Sequence, residues 1–228
     1  HFAKTLTMSG LYETSDLLIP GFEPPRPTRR TNIELVSNTF VGRRTEIATI
    51  GETFDAGARL ITISGIGGTG KTRLACQYGH QQLAKYSGGV WFVDLCESTS
   101  LDMMYQGVAE VLGFQLTARE PHEQIGNALQ ARGPLLLILD NFEQLLPQAA
   151  ETLAAWIRMS PPTHFLVTSR ERLKLPVEQM LFLGALDTQD AVVLFEARAR
   201  ITRPGFALSN ENRAVVEDIV QRLDGMSL

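Results

Sequence analysis

Lys71 and Thr72 close the run Gly65-Ile66-Gly67-Gly68-Thr69-Gly70-Lys71-Thr72, which has the spacing G-x-x-x-x-G-K-[ST]. The chemistry this spacing can do is to hold phosphate. Gly65, Gly67, Gly68 and Gly70 let the backbone turn tightly and approach phosphate oxygens with no Cβ in the way, so successive amides can point into one anion-sized hollow. Lys71 adds a point charge over β- and γ-phosphates, and Thr72 offers a hydroxyl to Mg²⁺. A helix starting here would turn its positive dipole end toward the same anion. Thr69 and Arg73, inside and just after the run, are counted with it as nucleotide-binding candidates.

The second piece is an acid. Leu135-Leu136-Leu137-Ile138-Leu139 drives a strand into a sheet centre, and Asp140 stands where that strand emerges. A carboxylate at the carboxyl end of a central parallel strand lies in the crevice where α/β folds bind ligands, and it can hold Mg²⁺ through a water. Alone, Asp140 would serve equally as the N-cap of a following helix. Paired with Lys71 and Thr72 it has the Walker B form. Glu143, three residues on, can polarise an attacking water or can be a solvated acid in a first helical turn. Arg170 follows the apolar run His164-Phe165-Leu166-Val167-Thr168-Ser169, where a guanidinium could reach a γ-phosphate; a surface pairing with Glu171 is the alternative. Phe40-Val41-Gly42-Arg43 precedes the glycine run by some twenty residues, and a turn with a helix start explains it equally well on its own.

These groups must be positioned by strands and helices. Leu60 to Ser64 is the strand before the glycine run, and Val90 to Leu95, β-branched and aromatic, is a buried parallel strand. His164 to Ser169 and Met180 to Leu183 complete five strands. Helical spacing occupies Glu46 to Phe54, Arg73 to Ala84, Leu101 to Leu112, Glu123 to Ala131 and Pro147 to Met159. Alternation of this kind predicts an α/β fold with a mostly parallel, doubly wound sheet. From Asp187 the texture turns helical: Thr188 to Arg200, then Asn210 to Leu223 with the stripe Val215, Val216, Ile219, Val220 and Leu223. The expected division is a linker or docking arm over residues 1–38, where Pro20, Pro24, Pro25 and Pro27 interrupt any helix, a nucleotide-binding domain over 39–185, and a small, truncated helical lid over 186–228.

Composition bounds the rest. The chain has 228 residues, 44% hydrophobic and 20% charged, with a formal net charge of −4, which argues against an extended nucleic-acid surface in these residues. No apolar run approaches the roughly 20 residues of a membrane helix and no signal-peptide pattern opens the chain, so a cytoplasmic setting is expected. Cys76 and Cys96 give no metal or disulfide spacing and read as small core residues, while His80, His122 and His164 are scattered. The start at His1 and the stop directly after an amphipathic run suggest a piece of a longer protein.

Taken together, Phe40-Val41-Gly42-Arg43, Gly65 through Ala75, Leu139-Asp140-Asn141-Phe142-Glu143, Thr168-Ser169-Arg170-Glu171, Leu194-Phe195 with Arg198-Ala199, and Arg222-Leu223-Asp224-Gly225 resemble, in order, the STAND class of additional-strand P-loop NTPases, and within it the bacterial regulators related to NB-ARC proteins. The resemblance implies five sheet strands, with the strand ending at Ser169 inserted between those leading to Gly65 and Asp140. It implies that Phe40, Val41 and Gly42 line an adenine pocket, that Arg43 approaches the nucleotide, and that Arg170 is a γ-phosphate sensor. The implied ligands are ATP or ADP with Mg²⁺, and the implied activity is a switch with slow ATP hydrolysis that controls self-association. A fast AAA+-like ATPase and a non-hydrolysing nucleotide-stabilised scaffold are the competing expectations. The chain departs from the family at Ser227, where relatives carry Pro, and at Asn141, where many carry a second acid; winged-helix and repeat domains are not within it.

Overall fold

The computed structural model describes residues 30–34 and 40–223. Five strands form one sheet: β1 (Leu60–Ser64), β2 (Val90–Asp94), β3 (Leu135–Asp140), β4 (Thr163–Ser169) and β5 (Glu178–Phe182). Their order is β2-β3-β4-β1-β5, and every neighbouring pair is parallel. β4 therefore lies between the strand that feeds the glycine run and the strand that ends in Asp140, as the family resemblance implies.

The central strands are apolar on both faces because both faces are covered. Side chains alternate along a strand, so Leu135, Leu137 and Leu139 join Phe165, Val167 and Leu60 in one core, together with Met104, Ile125 and Trp156. These last residues come from α3 (Leu101–Leu112), α4 (Pro121–Ala131) and α5 (Gln148–Met159). Leu136 and Ile138 point the other way and meet Ile61, Ile63 and Leu166 under α1 (Arg44–Asp55) and α2 (Lys71–Gln81). Each fully buried Leu or Ile contributes on the order of 1.5–3 kcal/mol through lost contact with water.

The elements differ from their expected bounds at identifiable places. α2 ends at Gln81, short of Ala84. β5 begins two residues earlier than Met180, because the Glu178 carboxylate accepts hydrogen bonds from the amides of Leu173 (2.9 Å) and Lys174 (3.0 Å) and is drawn inward. A short 3-10 turn, Phe142–Leu145, precedes α5. Cys76 is half-buried, and burial pushes its thiol up to about 12, whereas Cys96, expected in the core, is exposed.

Beyond β5, α6 (Thr188–Thr202) and α7 (Arg213–Arg222) pair around a small core of Ala191, Val192, Val216 and Val220 with Phe195 and Phe206 against it. Of the apolar stripe expected on α7, Val215 and Leu223 instead face solvent. The expected docking arm enters the described residues only at 30–34, which run beside the outer edge of β2. There Thr31 bridges Val90, and the Asn32 amide donates to Phe92 O (2.7 Å) and accepts from Phe92 N (2.8 Å). The rest of that arm, and the Gly225-Met226-Ser227 turn, lie outside the described residues. Among the described residues no helix is long and apolar enough to cross a membrane.

Candidate functional site

A parallel sheet collects the ends of its strands on one rim, and here the glycine run, Asp140, Glu143 and Arg170 stand at or just beyond that rim. The glycine run leaves β1, with Gly68 (φ 81°) and Gly70 (φ 90°) in the left-handed region that favours glycine. Gly65 has no room for a side chain, since a Cβ there would lie 2.4 Å from the Leu183 carbonyl oxygen. Thr69 is buried and its hydroxyl donates to Ile66 O (3.0 Å), which pins the loop. Helix α2 begins at Lys71 with no side-chain cap, so its first amides face the hollow.

Lys71 folds back over the loop and donates to Gly65 O (2.9 Å) and Ile66 O (3.0 Å). Burial lowers its proton affinity; Glu143 opposes that, Arg170 adds to it, and Asp140 opposes it. These four charged groups therefore share one mouth. The Thr72 hydroxyl lies 2.8 Å from both carboxylate oxygens of Asp140, which is only 2% exposed. Burial raises the proton affinity of Asp140, hydrogen bonds from Thr168 and Thr72 lower it, and Asp94 and Glu143 raise it again. A hydroxyl and a buried, desolvated carboxylate side by side are a hard-oxygen donor set that suits Mg²⁺.

Glu143 sits on the 3-10 turn, with Oε1 3.2 Å from Arg170 Nε, and its Oε2 accepts from the Arg170 amide (3.3 Å). Phe40, Val41, Arg43, Thr69, Gly70, Arg73, Leu186 and Leu194 line one concave pocket beside the loop. Gly42 does not face that pocket but abuts α6, where a Cβ on it would collide with the Asp190 carboxylate at 2.0 Å. Arg43 is turned into the wall: its guanidinium pairs with Glu46 (2.7 Å) and donates to Gly184 O (2.6 Å) and Thr69 O (3.5 Å). Burial and the nearby Arg198 charge lower the proton affinity of Arg73.

The hydrogen bonds of three contributors were not visible in the sequence. Thr168 donates to Asp140 and accepts from the Asn141 amide (3.0 Å). Asn141, in the left-handed region at φ 57°, donates to Asp94 (3.0 Å) and to Asp140 (3.1 Å). Asp94 closes β2 opposite Asp140; a polar residue ending an apolar run was the available signal for it. Leu186 and Leu194 reach the pocket only because α6 folds back over the rim.

A glycine loop between β1 and α2, with a facing acid at the end of β3 and β4 inserted between them, defines a P-loop NTPase. The chain belongs to the AAA domain family, whose pattern residues 55–175 match. It is similar to an uncharacterized protein of Mycobacterium tuberculosis, 34% identical over 83% of this chain and 48% of the relative. A protein of the same organism named as an HTH-type transcriptional regulator is also 34% identical, over 75% of this chain and 19% of the relative. The chain thus spans about half or less of the length of the curated relatives it matches. Its fold is shared with Cdc6p from Pyrobaculum aerophilum, at TM-score 0.58 and 13% identity over 72% of this chain and 52% of that one. It is shared too with a STAND protein bearing a tetratricopeptide repeat sensor from Pyrococcus horikoshii, at TM-score 0.53 and 17% identity over 86% and 30%.

Proposed function

We propose that these residues form the nucleotide-binding part of an ATP/ADP-controlled switch of the STAND, NB-ARC-related kind, within a larger regulator whose conformation and self-association follow the bound nucleotide. The observation that carries the reading is the pocket with mixed walls. Phe40 and Val41 precede α1, Thr69 and Gly70 belong to the phosphate loop, and Leu186 and Leu194 belong to the helical part. A base seated there touches the sheet and the helices at once, so nucleotide contacts can bias how they sit together. A ligand shifts an equilibrium only by binding its two states differently.

In this reading 39–185 is the nucleotide-binding domain, 186–228 the lid and 1–38 a linker or docking arm. Lys71, Thr69, Arg73 and the loop amides hold the phosphates, and Phe40 and Val41 shape the adenine side. Thr72 and Asp140 would hold Mg²⁺, whose charge offsets that of the β- and γ-phosphates. Hydrolysis is slow because Asn141, an amide, occupies the place beside Asp140 where a second acid would act. The regulator name and greater length of the mycobacterial relatives support a role as one part of a larger cytoplasmic protein, with winged-helix and repeat domains elsewhere. Net charge of −4 supports leaving nucleic-acid contact to those other parts.

A single-turnover assay with labelled ATP tests this. One slow turnover followed by retained ADP is expected. Rapid multiple turnover would instead favour an AAA+-like motor, and binding without cleavage a nucleotide-stabilised scaffold.

A further inference from the structure

Slow hydrolysis still requires an acceptor for a proton from the attacking water, and the rim offers few. Asp140 is occupied by Thr72 and Thr168. Asp94 ends β2, which the order β2-β3-β4-β1 places three strands from the phosphate loop. Glu143 stands on the loop side, where Lys71 senses its charge. We propose that Glu143 is the catalytic base and that Arg170 is a latch on it, closed while the γ-phosphate is absent and opened when one binds. This rests on the nucleotide-binding reading above.

The latch has two contacts of different kinds. The Arg170 guanidinium pairs with Oε1 at 3.2 Å, while the Arg170 backbone amide donates to Oε2 at 3.3 Å. The first can break without the second, so Glu143 keeps its place when the guanidinium leaves. The Glu143 side chain is 13% exposed and that of Arg170 67%, which makes the arginine the partner free to move. It has a short way to go: a Cβ on Gly67, inside the phosphate loop, would lie 3.9 Å from Arg170 Nη2. A γ-phosphate offers more negative charge than one carboxylate and a geometry that suits a guanidinium fork, so it draws the arginine off.

The freed carboxylate then takes a proton from water as the water oxygen bonds to the γ-phosphorus. The bond from that phosphorus to the β,γ-bridging oxygen breaks, its electron pair leaves with ADP, and the proton passes from Glu143 to solvent. Once the phosphate departs, Arg170 returns and the base is held again.

The two partners compete for one guanidinium, and that competition is measurable without turnover. Titration calorimetry compares Mg²⁺ with ADP and with a non-hydrolysable ATP analogue, on the wild type, Glu143→Gln, Arg170→Ala and the double variant. Glu143→Gln keeps an acceptor for the Arg170 amide but drops the ion pair, so the analogue should bind about two- to fivefold tighter, the range an exposed pair is worth. ADP affinity should not change, and the tightening should vanish in the Arg170→Ala background. Equal tightening without Arg170 would mean simple carboxylate–phosphate repulsion and would overturn the latch, as would no tightening at all. Single-turnover cleavage that survives Glu143→Gln would overturn the assignment of the base. A wild type that binds neither nucleotide would sink the underlying reading, whereas binding without this coupling sinks the latch alone.

Discussion

His164 enters β4 partly buried, stacked on Phe54 at 4.5 Å between ring centres and hydrogen-bonded through Nδ1 to the Tyr86 hydroxyl at 2.9 Å. Burial, then the charges of Arg59 and Lys85, push its pKa down to about 4, so the ring is neutral in the fold at pH 7. An unfolded histidine titrates near 6.5. Between those values the unfolded chain binds a proton that the native chain refuses, so this group favours the fold fully above about pH 6.5 and progressively less down to about pH 4. The melting temperature of the wild type should therefore fall across that window, and His164→Gln, which keeps an acceptor for Tyr86, should fall less steeply. Parallel curves would show that other groups set the acid limb. The reading of individual residues from sequence divides along the same line between local and distant causes. The phosphate loop, Thr72 and Asp140 were legible because spacing along the chain encodes them. Thr168, Asn141 and Asp94 were not, since their part depends on three strand ends meeting across the sheet.

Gly79 interrupts an otherwise good helix-forming run in α2, and the packing supplies the reason. A Cβ there would come 2.9 Å from Ile138 Cδ1 and Val90 Cγ1 and 3.0 Å from Ile33 Cδ1, so the helix lies against β3 and β2 with only a hydrogen's clearance. Glycine costs about 1 kcal/mol of helix propensity relative to alanine, and close packing of three elements offsets it. Gly79→Val should lower the unfolding free energy by about 1–3 kcal/mol through overpacking, read as a lower urea midpoint with an unchanged slope. It should also speed amide exchange at Val90, whose N–H is held by Arg30 O at 2.9 Å, as Ile33 is lifted away. A midpoint that stays or rises would mean the contact relaxes freely. Element identity was legible to the extent that burial imposes a pattern: both-face burial writes β3 as an apolar run up to Asp140 and β1 as a mostly apolar one around Thr62, and α3 and α5 keep their stripes. The start of β5 was hidden because a charged residue, Glu178, is pulled inside by two amides, and the α7 stripe misled because its partner covers only half of it. Strand order is not written in local pattern at all; family resemblance supplied the place of β4 between β1 and β3, and the edge positions of β2 and β5 came only from the structure.

The sheet and the α6–α7 pair keep separate cores, so their arrangement depends on the few groups that cross between them. Arg43 is the one with the widest reach. Its guanidinium joins Glu46 at the start of α1, Thr69 O in the phosphate loop and Gly184 O in the stretch leading to α6, while its backbone sits at φ 61°. A residue with a Cβ held in that region costs roughly 1–2 kcal/mol, and the three contacts hold it there. Removing the side chain and removing the strain are separable by choice of replacement. Arg43→Ala loses the contacts and keeps the strain, whereas Arg43→Gly loses both. Proteolysis within residues 184–187 should accelerate in the two variants alike. Arg43→Gly should nonetheless melt higher than Arg43→Ala, by about 2–4 °C for each kcal/mol of strain in a chain of this size. Cleavage at the wild-type rate in Arg43→Ala would show that the helices are held by Gly42 against Asp190 and by the pocket walls without this strap. If both variants melt alike, the three contacts rather than backbone strain account for the whole loss, and the arginine acts on the molecule only as a tie between its parts.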